Sequence, residues 1–234
     1  MSDTTLTATH HDATHAHGHG HHHADGHDPN LQHHFTEMAQ QFDAAKIGMW
    51  LFLATEILLF GGLFVGFGMQ QAKFPEAFKA AHHHLDWQLG ALNTVVLLVS
   101  SFTMVIAVWA SMTGRRKTLI TNLILTLACA GTFLVVKYFE YSHKIHDGLL
   151  PGKFYSYAHG QPNEYIFFSF YFMMTGLHGI HVVLGMVAIG WILVRALKGD
   201  FGPGYYTPVD LVGLYWHLVD LIWIYLFPLL YLIS

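Results

Sequence analysis

Hydrophobic positions in this chain gather into five long runs, and most polar positions fall between them or before the first. The runs cover roughly residues 47–69, 89–112, 119–141, 165–197 and 211–232. Each reaches the ~20 apolar residues that a helix needs to cross a bilayer. The pattern predicts an all-α, polytopic membrane protein: a five-transmembrane-helix bundle. The fourth run is longer than a crossing requires, so part of it tilts or projects beyond the lipid. Pro228 removes a backbone donor near the end of the fifth and is expected to bend its last turn. The connections 70–88 and 142–164 contain Gly or Pro and are read as non-spanning.

Residues 1–34 are a different material, rich in His, Gly, Asp, Thr and Ala and nearly free of large apolar side chains. Such a stretch cannot bury enough surface to offset its ordering entropy, so it is read as a disordered His-rich N-terminal tail. It lacks the apolar core of a signal peptide. Its histidines are scattered, and loose chelation of a transition metal by them, His21, His22 and His23 among them, is chemically open. A solvated low-complexity tail is the plainer reading. The domain division is therefore a tail, 1–34, and a membrane domain, 35–234.

Cations near the run ends set an orientation. With the tail inside, the inner segments hold Lys46, Arg115, Arg116, Lys117, Arg195 and Lys198, and the outer ones hold Lys73, Lys79, Lys144 and Lys153. That bias predicts a cytoplasmic N-terminus and an outside C-terminus. Trp50, Trp87, Tyr155, Tyr157, Tyr205 and Tyr206 lie near run ends, as interfacial aromatics do.

Composition narrows the class further. A chain that is 53% hydrophobic and 11% charged is not a soluble globule, and a net charge of −4 offers nothing to nucleic acid. The single cysteine, Cys129, allows no internal disulfide and no paired-thiolate metal centre.

Candidate chemistry lies in the polar residues at membrane depth, where an ionisable group costs roughly 2.5–3.5 kcal/mol and should face protein or water. Glu56, mid-way along the first run, must be protonated or hydrogen-bonded; it is read either as a buried structural carboxyl or as a proton-linked or lipid-contacting one. Gly62 and Gly66 form a GxxxG step on the same run, which predicts close approach of another helix. Asn93, Thr94, Ser100, Ser101 and Thr103 supply hydrogen-bonding glue on the second run. Glu140, with Lys137 one turn before it, is expected to form an ion pair at the water-exposed end of the third. On the fourth run Gly176 and Gly179 serve packing, and His178 and His181 share a face. His217 and Asp220 share one on the fifth. Only three histidines stand at membrane depth, so a hydrogen-bond network joining helices accounts for them better than a metal or haem site.

Five segments carry a family resemblance: TEILLFGGLF (55–64), LNTVVLLVSS (92–101), FEY (139–141), FFSFYFMMTGLHGIHVVLG (167–185) and YWHLVDLIWIYLFPLLY (215–231). In that order they resemble subunit III of the haem–copper terminal oxidases, in the shorter five-helix bacterial form. The resemblance covers about Phe42 to the C-terminus. It implies a non-catalytic subunit of an aerobic respiratory oxidase, which reduces O2 to water and pumps protons. It further implies that this subunit stabilises subunit I and supports proton uptake, Glu56 matching a carbodiimide-reactive carboxylate. Glu56, Glu140, His178, His181, His217 and Asp220 would then form the proton-linked or polar core. The haems and copper would lie in partner subunits, with none in this chain and with bound phospholipid around it. Subunit I would be the main contact, with subunit II, a small subunit IV and a respiratory supercomplex as further partners. The bacterial plasma membrane would be the location. A quinol oxidase or a nitric-oxide-reductase system fits the same subunit type. From other classes, a membrane cytochrome b and a metal-ion permease remain as alternatives.

Overall fold

The computed structural model describes residues 37–151, 154–156 and 162–232. Its elements are helices α1 (Met38–Lys73), α2 (Pro75–His82), α3 (Trp87–Met112), α4 (Arg116–His146), α5 (Glu164–Lys198) and α6 (Thr207–Tyr231). All but α2 are long and apolar enough to span a membrane. The five-helix, all-α architecture stands as the hydrophobic pattern predicts. The His-rich tail, with His21, His22 and His23, lies outside the described residues, as do Lys153 and Tyr157.

The helix ends depart from the runs because a helix stops where its backbone bonds are capped, not where hydropathy falls. α1 begins nine residues before the first run. There Phe42 packs on Tyr206 and Lys46 pairs with Asp210 at 3.2 Å, so polar turns outside the apolar stretch still have partners. α4 continues to His146, which puts Glu140 inside the helix rather than at its end. In the connection 70–88 the sequence reading missed α2, a single short helix with Pro75 at its start, where proline's missing N–H costs nothing. Its Phe78 is buried edge-on to Phe67 and Phe167, which seats it over the C-terminal end of α1 and the N-terminal end of α5. Asp86 caps α3 by accepting from the backbone N–H groups of Gln88 and Leu89.

The core lies among α3, α4, α5 and α6, with Trp216, Trp223, Tyr171 and Phe133 wholly enclosed. α1 is attached to one edge through Leu53, Phe60 and Phe67 and leaves Ile47, Trp50, Leu51, Leu58, Val65 and Met69 exposed. Lipid is as apolar as these side chains, so close fitting and hydrogen bonds must hold the spans together. Three glycines show the fit. A Cβ at Gly185 would stand 2.7 Å from the Trp216 ring, one at Gly213 2.9 Å from Val108, and one at Gly90 2.8 Å from Phe227.

The glycines singled out from the sequence do not serve in this way. A Cβ added at Gly62 or Gly179 would meet nothing within 4 Å, one at Gly66 would meet only Phe170 at 3.4 Å, and one at Gly176 only the Tyr141 hydroxyl at 3.9 Å. The GxxxG step has no helix of this chain close against Gly62, and only the Phe170 ring near Gly66. At the end of the bundle where α4 begins, Arg116 ties α4 to α5 by donating from Nε to the Ala196 carbonyl at 3.1 Å and from Nη2 to the Leu197 carbonyl.

Candidate functional site: polar ties between the spans

Six polar residues were expected to share one core, and the structure distributes them over three separate sites and one enclosed ring. The first site joins α1 to α5. His181 Nε2 lies 2.8 Å from Glu56 Oε2, while His181 Nδ1 lies 2.8 Å from the Leu177 carbonyl oxygen. A carbonyl cannot donate, so Nδ1 carries a proton. Nε2 then either accepts a proton from a neutral Glu56 or holds one against an ionised Glu56. Both arrangements place a single proton between the two side chains. The Tyr215 hydroxyl donates to the His181 carbonyl at 3.2 Å, and Phe60 packs edge-on to the imidazole. Glu56 and His181 keep 15% and 11% side-chain exposure, so the pair lies at the rim of the bundle.

The second site joins α3 to α6, as the shared face of His217 and Asp220 predicts. Ser101 Oγ lies 2.7 Å from His217 Nδ1. Next to it, Ser100 Oγ accepts from Trp216 Nε1 at 3.1 Å and reaches the Leu97 carbonyl at 2.8 Å and Asp220 Oδ2 at 3.4 Å. Two adjacent serines thus hold two polar residues one turn apart on the facing helix. One turn further along α3, Thr103 meets Thr126 of α4 at 2.8 Å.

The third site overturns an expectation. Lys137 and Glu140 are not a water-exposed pair: their side chains are 9% and 3% exposed, with Nζ 2.8 Å from Oε2. Lys137 also donates to the Tyr231 hydroxyl at 2.6 Å. Glu140 Oε1 accepts from Tyr171 at 2.9 Å and from Tyr231 at 2.5 Å. Rings enclose the ammonium, with Trp223 at 4.7 Å and Tyr231 at 5.2 Å, so its charge faces π electrons as well as a carboxylate. Both Glu140 oxygens are hydrogen-bonded and the Lys137 ammonium has two oxygen partners besides the rings, the kind of pairing that a charge removed from water requires. Lys144, also buried, donates to the His84 carbonyl at 3.0 Å.

His178 belongs to none of the three. It is fully enclosed, neither ring nitrogen has a hydrogen-bond partner, and it packs against Phe133 and Trp223 at 5.5 and 5.2 Å. Its expected place in the hydrogen-bond network is therefore corrected to an aromatic contact. His178 and His181 lie one turn apart, yet the first turns to α4 and α6 and the second to α1. Asn93 is buried on α3, likewise without a hydrogen-bond partner. Among the described residues no three His, Cys, Asp or Glu side chains converge as metal ligands would.

This chain, with five spans tied by acid, imidazole and hydroxyl groups, matches the family description "Cytochrome c oxidase subunit III" over residues 27–234. It belongs to that family. Among its relatives is the cytochrome c oxidase subunit 3 of Corynebacterium diphtheriae, 31% identical over 191 residues, covering 81% of this chain and 88% of that one. The quinol oxidase subunit 3 of Bacillus subtilis is 31% identical over 193 residues, covering 80% and 86%. In Aeropyrum pernix the related segment lies within a longer heme-copper oxidase subunit I+III, 30% identical over 198 residues, covering 82% of this chain and 23% of the fusion. As a subunit III the chain is a non-catalytic member of an oxidoreductase complex in a membrane.

The residues that sequence reasoning missed in this subunit III are the aromatic partners. Tyr171, Tyr231, Trp216 and Trp223 carry the hydrogen bonds that satisfy Glu140, Ser100 and Thr94. A signal existed. Tyr and Trp deep in a span need a polar partner for their O–H or N–H, and each stands on the helix face that also carries Thr175, His178 or Asp220.

Proposed function

We propose that this subunit III packs the α1 edge of its bundle against the larger catalytic subunit I of its oxidase, and that Glu56 and His181 sustain proton uptake there. The observation that carries this reading is the Glu56–His181 pair, a shared proton at the bundle's least covered edge. A carboxyl at bilayer depth is costly against lipid and cheaper against protein. The exposed row Ile47, Trp50, Leu51, Leu58, Val65 and Met69 supplies an apolar flank for such a partner. The Aeropyrum fusion supports a subunit I neighbour, because one polypeptide there carries both parts in its name. In this reading Glu140, His217 and Asp220 hold the bundle's shape and Glu56 with His181 does the proton work. Subunit II and a small subunit IV complete the assembly, phospholipid fills the remaining flanks, and haems and copper belong to the partners.

The location proposed is the bacterial plasma membrane, with the N-terminus cytoplasmic. Lys46, Arg115, Arg116, Lys117, Arg195 and Lys198 belong to the α1, α4 and α6 N-terminal end of the bundle. At the other end the described cations are Lys73, Lys79 and Lys144, and Lys144 is buried. Such a bias supports a cytoplasmic first end.

The test is Glu56→Gln in the assembled complex, with proton-to-electron ratio and turnover lifetime as readouts. Glutamine keeps the size and a hydrogen bond to His181 but holds no exchangeable acid. Shortened activity during sustained turnover, with the complex still assembled, is the expected result. Unchanged turnover lifetime and pumping would remove Glu56 from the proton role.

A further inference from the structure

Asp220 is a third acid at membrane depth, and its surroundings are unlike those of Glu56 and Glu140. It is enclosed in the seam between α3 and α6 and is 2% exposed. Oδ2 lies 3.4 Å from Ser100 Oγ, and Oδ1 has no hydrogen-bond partner. Among the described residues no cation lies within ion-pair distance of it. Glu140 shows what this bundle gives an ionised acid: an ammonium at 2.8 Å and two phenol donors. Asp220 has no such set.

The hydroxyl protons around it are largely committed elsewhere. Ser100 has one, and its Oγ lies 2.8 Å from the Leu97 carbonyl oxygen, which can only accept. The Trp216 indole N–H, which can only donate, takes one lone pair of the same Oγ at 3.1 Å. Towards Asp220 that oxygen therefore presents a lone pair, and the proton between the two belongs to the acid. Ser101, the other hydroxyl beside Asp220, is held 2.7 Å from His217 Nδ1. At most one donor thus remains for two carboxyl oxygens. An ionised carboxylate so placed would be stripped of water without a counter-charge, and a group in that position neutralises instead. A neutral acid fits. Its O–H donates to Ser100, and a carbonyl oxygen left unpaired costs far less than an unpaired charge.

We propose that Asp220 is a neutral carboxylic acid and that the α3–α6 seam is a proton-operated latch, closed with that proton bound and releasing it on opening. The groups facing this part of the seam suit a neutral occupant. α3 offers the hydroxyls of Ser100 and Ser101, and α4 the thiol of Cys129. On α5, His178 packs on Trp223, one turn along α6 from Asp220, and His181 is turned to Glu56 of α1. Lys137 of α4 lies over the same Trp223 ring and is matched by Glu140. On α6 itself His217 stands one turn away. It lines a recess of about 250 Å3 between α3 and α6 together with Asp210, which Lys46 pairs, so the proton's way out runs along the seam. The latch is separate from proton uptake at Glu56 and His181, and it gives the shape-holding role of Asp220 a protonation state.

The experiment compares the assembled complex in nanodiscs with its Asp220→Asn variant, in which an amide keeps the size, a donor for Ser100 and the neutrality. The variant is expected to assemble; its failure to do so would mean that the acid is held as a charge and would overturn the proposal. Infrared spectra at neutral pH are expected to differ by the C=O band of one protonated carboxylic acid, which shifts in D2O. A carboxylate band in its place would overturn the proposal too. Hydrogen exchange of α3 and α6 peptides, read by mass spectrometry, tests the latch. Opening that sheds a proton becomes easier as pH rises, because the open state then binds fewer protons than the closed one. The ratio of wild-type to variant exchange rates is therefore expected to climb with pH by up to about tenfold per unit, the limit for one proton. Taking the ratio at each pH cancels the chemistry of exchange itself. A ratio that stays flat would overturn the latch. None of these readouts depends on Glu56, so proton uptake there stands or falls by its own turnover test.

Discussion

Two acidic residues at membrane depth show how differently one bundle treats the same problem. Glu140 sits inside the four-helix core and accepts from Lys137, Tyr171 and Tyr231, with the counter-charge enclosed by rings. Glu56 sits at the α1 edge with one imidazole partner at 2.8 Å and one flank uncovered. The first is closed by its own chain, and the second is left to be completed by whatever covers α1. A saturated carboxylate has few ways to exchange a proton, whereas one paired with a histidine has an acceptor of matched chemistry beside it. The contrast separates a group that holds the fold from one free to do more.

The sharpest way to break the comparison is to remove the lysine. Lys137→Met strands Glu140 in the core, and breaking a buried pair costs about 3–5 kcal/mol. The variant should lose this subunit from the complex on detergent challenge, measured by subunit retention on native gels. Lys137→Met combined with Glu140→Leu should recover part of the loss, because no lone charge then remains. Next in size, Gly185→Val drives a side chain into Trp216, and overpacking of this kind costs about 1–3 kcal/mol. A fall in the thermal unfolding midpoint reads it. Smaller again, Glu56→Gln should cost about 1 kcal/mol or less in the same assay, the net worth of one hydrogen bond. A stability loss equal to that of Lys137→Met would erase the distinction between the two acids. Smallest, Gly62→Ala should shift the midpoint by no more than about 0.5 kcal/mol in equivalent stability, since nothing lies within 4 Å of its Cβ.

The five spans were legible because length and apolarity are local properties of a run. Their ends were less so. Lys46 and Asp210 extend α1 and α6 through a contact between residues far apart in sequence, which no local pattern reveals. Glu140 was misjudged for the same reason. With Lys144, His143 and His146 following it, the stretch reads as a wetted helix end, whereas Tyr171 and Tyr231 enclose Glu140 and Lys144 is buried against the His84 carbonyl. GxxxG at Gly62 and Gly66 specifies a smooth face but carries no information about whether a partner lies against it. Conversely, Gly185, Gly90 and Gly213 stand outside any such step and yet are where large side chains press closest. For Glu56 and His181 the residue types were visible, and their meeting needed the fold. His178 shows the limit of face-sharing arguments, since one turn of helix sends two neighbouring imidazoles to different environments.

Arg116 gives the α4–α5 pair a consequence of its own. Its guanidinium grips the last carbonyls of α5 from the first turn of α4, so these two spans are stapled at the end of the bundle where α1 begins. Any motion that parts them pivots on that staple and widens the opposite end most, as tweezers open from their joined heel.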